Sequence, residues 1–125
     1  MKYFLLIILS ALSMKSFGQT KPSNDSTSNL TVEVRSKILS ESKDGGKLDF
    51  WTPIKGHEYD GLLLEKGSNI IVTKRELAVI KWALVLTKNG ISKTEIVSLY
   101  EELKSRKIRA DELQLIDMGI KKASE

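Results

Sequence analysis

Residues 73–88 read TKRELAVIKWALVLTK, and the reading of this stretch decides the architecture. Thr73 and Glu76 have the spacing of a capping box. In that motif the hydroxyl accepts from the amide three residues on, and the carboxylate reaches back to the amide before the helix. Val72 and Leu77 add a hydrophobic staple across the same start. From Leu77 to Leu86 the chain is apolar except for Lys81. A helix of that composition has to be covered on most sides, which places it at the centre of a core. Lys74, Lys81 and Lys88 fall seven residues apart and share one narrow stripe. Asn89-Gly90 ends the segment, glycine being suited to the left-handed position after a last turn.

Two further helices are expected downstream. Ser92-Lys93-Thr94-Glu95 repeats the capping box, with Ile91 and Ile96 as its staple. The helix from about Lys93 to Ser105 carries Ile96, Leu99, Tyr100 and Leu103 on one face, and Glu102–Arg106 is a favourable i,i+4 ion pair. Asp111-Glu112-Leu113-Gln114 is a looser third start, for a helix from about Asp111 to Lys122 with Leu113, Ile116 and Ile120 inward. Acids at its beginning and Lys121-Lys122 at its end suit the helix dipole.

Upstream, residues 30–72 read as short strands and turns. Leu30, Val32 and Val34 alternate with polar residues, which favours a strand, although Leu30, Val34 and Ile38 are four apart and fit a helix. Asp44-Gly45-Gly46 is a turn signal. In Lys47–Ile54 (KLDFWTPI) Leu48 and Phe50 share a face, with Pro53 limiting the piece to an edge strand or a strand end. Lys55–Gly61 is a polar loop, and Leu62-Leu63-Leu64 and Ile70-Ile71-Val72 are short apolar runs around Lys66-Gly67-Ser68-Asn69. The fold class expected is α+β, predominantly helical, with an irregular, partly β N-terminal half packed on a C-terminal three-helix subdomain spanning 73–125.

The first eighteen residues read as an address. Met1-Lys2 give a positive start, Tyr3–Leu12 an apolar run, and Ser16 and Gly18 the small residues of a signal-peptidase site, predicting cleavage between Gly18 and Gln19. The pattern resembles a bacterial secretory signal rather than a transit peptide. A run of about ten apolar residues falls short of the roughly 20 needed to span a bilayer, so no transmembrane segment is expected in the mature chain. Residues 19–29, QTKPSNDSTSN, form a polar flexible leader. Asn29-Leu30-Thr31 and Asp25-Ser26-Thr27 are glycosylation-like triplets that read more simply as unmodified linker. One small globular domain, 30–125, remains. The protein is thus expected to be periplasmic or extracellular.

Composition narrows the chemistry. The chain has 125 residues, 20 basic and 16 acidic side chains, no cysteine and one histidine. Without cysteine there is no disulfide framework, thiolate nucleophile or zinc–thiolate site; in an exported chain, stability then rests on packing. No Gly-x-Gly-x-x-Gly, P-loop, Cys-x-x-Cys or Gly-x-Ser-x-Gly is present, so no cofactor is expected.

The one dense group of reactive side chains is His57-Glu58-Tyr59-Asp60 between Gly56 and Gly61. His57, Glu58 and Asp60 are candidate catalytic residues, because imidazole titrates near neutrality and carboxylates beside it can orient it or share a cation. Consecutive residues seldom converge on one ion without a further element such as Asp49, so no metal site is assigned; a solvated loop is the plainer reading. Lys104, Arg106, Lys107 and Arg109 are a candidate basic binding patch for an anionic partner, flanked by Glu101, Glu102, Asp111 and Glu112. Export and a turn without glycine argue against nucleic acid. Trp51 and Tyr59 are candidate contact residues, and Trp82 belongs to the core. These readings favour a small exported, non-enzymatic binding protein, of inhibitor or immunity type, whose partner is a protein or an envelope component. The alternative is a small cell-envelope hydrolase or metal-dependent enzyme using the His57 loop.

Overall fold

Thr73 caps its helix as the spacing requires. Its hydroxyl accepts from the Glu76 amide at 3.1 Å, and the Glu76 carboxylate accepts from the Thr73 amide at 2.8 Å. The structure, a computed structural model, describes residues 30–125. The expected signal peptide, its Gly18–Gln19 cleavage point, the 19–29 leader and the acceptor asparagine and serine/threonine positions lie outside the described residues.

Among the described residues the chain forms four helices and a two-stranded antiparallel sheet: α1 (Val32–Glu41), β1 (Gly61–Leu63), β2 (Ile71–Thr73), α2 (Lys74–Lys88), α3 (Lys93–Lys104) and α4 (Ala110–Ala123). It is a predominantly helical α+β fold. No helix among the described residues is long and apolar enough to cross a membrane.

Helix α2 is the centre of the core. Ala78, Val79, Ile80, Trp82, Ala83, Val85 and Leu86 are all buried on it. Helix α3 brings Ile96, Leu99 and Tyr100 to the same cluster, α4 brings Leu115 and Ile116, and α1 brings Val34 and Ile38. Trp82 lies between Trp51 and Tyr100, with ring centroids at 6.2 and 5.8 Å and tilted planes. Its indole N–H donates to Ser42 Oγ at 2.9 Å, so the largest buried side chain leaves no polar atom unpaired. Gly90 ends α2 at φ +85°, as its position implies.

Several expectations are corrected. Residues 32–41 are a helix and not a strand: Val34 and Ile38 are 4% and 3% exposed while Val32 is 79% exposed. The four-residue spacing therefore prevails over the alternation, and Thr31 caps the helix by accepting from the Val34 amide at 3.1 Å. Lys47–Ile54 is no strand either. The Asp49 carboxylate gathers the amides of Gly45, Trp51 and Thr52 at 2.8–3.0 Å, together with the Thr52 hydroxyl. That curls the chain into a short 3-10 turn over Thr52–Ile54. The β part is thus the 61–73 hairpin alone among the described residues.

Helix α4 starts at Ala110, with Arg109 as the capping position, one residue before the expected first residue Asp111. Its buried face is Glu112, Leu115, Ile116 and Gly119, and Leu113 and Ile120 lie half-buried at the margins. Gly119 sets this rotation. A Cβ there would stand 2.4 Å from the Ile80 carbonyl oxygen and 2.8 Å from the Ala83 Cβ, so the absent side chain lets α4 lie directly on α2. The Glu102–Arg106 pair does not form, because Glu102 pairs with Arg35 at 2.7 Å and Arg106 with Glu112.

Candidate functional site

The loop holding the single histidine is positioned by β1 and by the start of α2. Asp60 and Glu58 carbonyls accept from the Lys74 and Arg75 amides at 2.9 and 2.8 Å, which ties the loop to the first turn of the helix. His57 Nδ1 lies 3.1 Å from Asp60 Oδ2, and both side chains are more than half exposed. Glu58 turns away and accepts from the Gly56 amide at 3.0 Å. Its own amide and that of Gly56 hold its carboxyl below the ordinary value. Asp49 is committed to its own turn. Burial pushes its carboxyl up, but the hydrogen bonds from Thr52, Gly45 and Trp51 outweigh burial and hold it below the ordinary value. The described residues bring no three His, Asp or Glu side chains to a common point suited to a metal ion. What the loop offers chemically is an open imidazole–carboxylate pair, with the Lys74 ammonium 3.8 Å from the same Asp60 oxygen.

The four cations of 104–109 are pulled apart by a carboxylate that the sequence reading treats as a flank. Glu112 is 0% exposed. It accepts from Arg106 Nη1 and Nη2 at 2.8 and 2.6 Å, from Tyr100 Oη at 2.8 Å, from the Arg109 amide at 2.9 Å and from Arg75 Nη2 at 3.3 Å. Hydrogen bonds from Arg106 lead the causes that lower its carboxyl to about 2, against the opposing effect of burial. The same contacts raise the Arg106 guanidinium, while burial and the bond to Glu112 push the Tyr100 phenol up. Arg109 also meets Asp111 at 3.3 Å. Lys104 lies with its ammonium 4.4 Å from the Trp51 ring centroid and 5.7 Å from that of Tyr100. Burial, with the nearby charges of Arg75 and Arg106, pushes that ammonium's pKa down. Of the four, Lys107 alone is exposed with its ammonium unpaired among the described residues.

Trp51 is half-buried against Trp82, whereas Tyr59 is 80% exposed. Beyond it, the hairpin carries an exposed apolar pair. In the hairpin Gly61 pairs with Thr73, Leu62 with Val72 and Leu63 with Ile71. Alternation sends Leu62 and Val72 inward and puts Leu63 and Ile71 side by side on the outer face, 50% and 70% exposed. The flanking bonds, Leu64 amide to Ile70 carbonyl and Lys74 amide to Asp60 carbonyl, fix the ladder's phase. Gly61 and Leu63 consequently direct their main-chain amides and carbonyls away from β2, along an open edge. The signal available was the apolar triplets 62–64 and 70–72; a run apolar at every position has to leave one face outward when the hairpin has only one side to cover.

Compared with protein-family models, with curated proteins and with solved structures, the chain matches none.

Proposed function

We propose that the protein is exported and acts by binding a protein partner through the outer face and open edge of the β1–β2 hairpin. The observation that carries this reading is the Leu63–Ile71 pair, two large apolar side chains opposite one another and exposed on a ribbon. Clustered exposed apolar surface is the usual mark of an interaction site, and an open edge beside it suits an added strand. Tyr59, in the turn before β1, and Ile70, just before β2, are also exposed, at 80% and 50%. Inhibitor-type or immunity-type binding is the form such a reading takes in a small envelope protein. The alternative, a hydrolase or metal-dependent enzyme working through His57, Glu58 and Asp60, draws on the His57–Asp60 contact alone.

The test is capture from envelope extracts with the wild-type protein and with Leu63→Lys/Ile71→Lys. Both positions face solvent, so the variant is expected to fold. A partner retained by the wild type and lost from the variant supports the proposal; equal retention by both refutes it. Export is checked separately, by mass spectrometry of the mature N-terminus, which is expected at Gln19.

A further inference from the structure

The inner side of the same hairpin borders a cleft of about 250 Å³. Phe50, with Pro53 and Ile54 of the 3-10 turn, forms one wall, Leu62 of β1 a second, and Leu77 and Ala78 of α2 the third. The lining side chains are apolar apart from two lysines, Lys74 and Lys81. Lys74, Leu77, Ala78 and Lys81 follow the i, i+3, i+4, i+7 spacing, so one helical stripe supplies an apolar strip with a cation at each end. The two Cα atoms are about 10 Å apart along the axis, and both flexible stems can bring their ammonium groups over the strip between them.

Those cations are available. The Lys81 side chain is exposed and has no ion pair or hydrogen bond among the described residues. Lys74 reaches Asp60 Oδ2 only at 3.8 Å, and Asp60 is shared with His57. From this geometry we propose that the cleft is a binding site for a medium-chain fatty carboxylate, its alkyl chain on Phe50, Ile54, Leu62 and Leu77 and its head between Lys74 and Lys81. The short apolar strip between the two lysines suits a medium rather than a long alkyl chain, and octanoate is the probe of that class. An alkyl chain brings no polar atom into the apolar part. A peptide would bring amides, each unpaired amide there costing about 1–3 kcal/mol, so the acyl chain is the better fit. This site is distinct from the outer face assigned above, and either assignment can fail without the other.

The experiment is isothermal titration of the protein with octanoate, octanol and octyltrimethylammonium, each below its aggregation limit. Octanoate is expected to bind one saturable site, octanol at least tenfold more weakly, and the cationic amphiphile not at all. Lys81→Gln is expected to weaken octanoate about tenfold and Lys81→Glu further, without changing the circular dichroism spectrum, since Lys81 is exposed. Octanol binding as tightly as octanoate, unchanged affinity in Lys81→Gln, or no saturable octanoate binding would each overturn the proposal.

Discussion

Arg106 meets Glu112 with two parallel contacts, Nη1 to Oε1 at 2.8 Å and Nη2 to Oε2 at 2.6 Å. The guanidinium sits just past the end of α3, and the carboxylate is in the first turn of α4, so this fork fixes the angle between the two helices. Glu112 also takes the Tyr100 hydroxyl and reaches α2 through Arg75. Removing its charge leaves the guanidinium groups of Arg106, Arg75 and Arg109 without their counter-charge, and an amide in its place keeps one acceptor oxygen while turning a donor toward them. Glu112→Gln is therefore expected to cost roughly 2–5 kcal/mol, the range for stripping one partner from a buried charge pair. Arg106→Ala should cost less, because its side chain is 38% exposed and Arg75 stays in place. Urea denaturation of the three proteins checks the order.

The same carboxylate predicts an acid transition. In the folded protein it titrates near 2, against an ordinary value of 4.5, with the Arg106 hydrogen bonds as the largest cause. A depressed carboxyl contributes stability that is present above about pH 4.5 and is lost as pH falls from there through 2. A shift of that size is worth on the order of 3 kcal/mol. Unfolding free energy measured from pH 7 to pH 2 should fall over that window, and the fall should be shallower in Glu112→Gln.

Such a centre was hidden from the sequence for a physical reason. Glu112 reads as an ordinary first-turn acid, and its partners Tyr100, Arg106 and Arg75 come from two other segments that only packing brings together. The cations at 104–109 were visible as a cluster, but which of them face solvent depended on that one carboxylate. Residues 73–88 were legible because Thr73, Glu76 and the apolar run all favour the same helix. The hairpin was legible in outline from its two apolar triplets. Residues 30–38 satisfied two periods at once, and tertiary contacts on Val34 and Ile38 decided between them. Lys47–Ile54 failed as a strand because Asp49 gathers the local amides more effectively than any ladder could.

Gly119 tests the α2–α4 contact. In an exposed helix, Gly→Ala stabilises by about 1 kcal/mol through propensity. Here the added methyl meets the Ile80 carbonyl oxygen at 2.4 Å and the Leu84 amide nitrogen at 3.0 Å, both main-chain atoms that cannot swing aside. Gly119→Ala is expected to destabilise by about 1–3 kcal/mol, the cost of overpacking. A thermal melt reads the sign directly: a raised midpoint would mean that α4 does not lie this close to α2.

Arg35 tests why residues 32–41 are helical. The alternation of Leu30, Val32 and Val34 is compatible with a strand, yet a strand would place Val34 and Ile38 on one face together with Val32, which is exposed. The helix instead turns Val34 and Ile38 into the core and lays Arg35 along α3. There its guanidinium donates to Glu95 at 2.9 Å, to Glu102 at 2.7 Å and to Ser98 at 3.2 Å. Glu95 is almost fully buried and Glu102 exposed, so the inner contact carries most of the energy. Arg35→Ala is expected to cost about 1–3 kcal/mol, concentrated in α1. Hydrogen exchange should then quicken at Val34–Glu41 while the amides of α2 keep their protection. Uniform acceleration across both helices would show instead that α1 unfolds only with the whole domain.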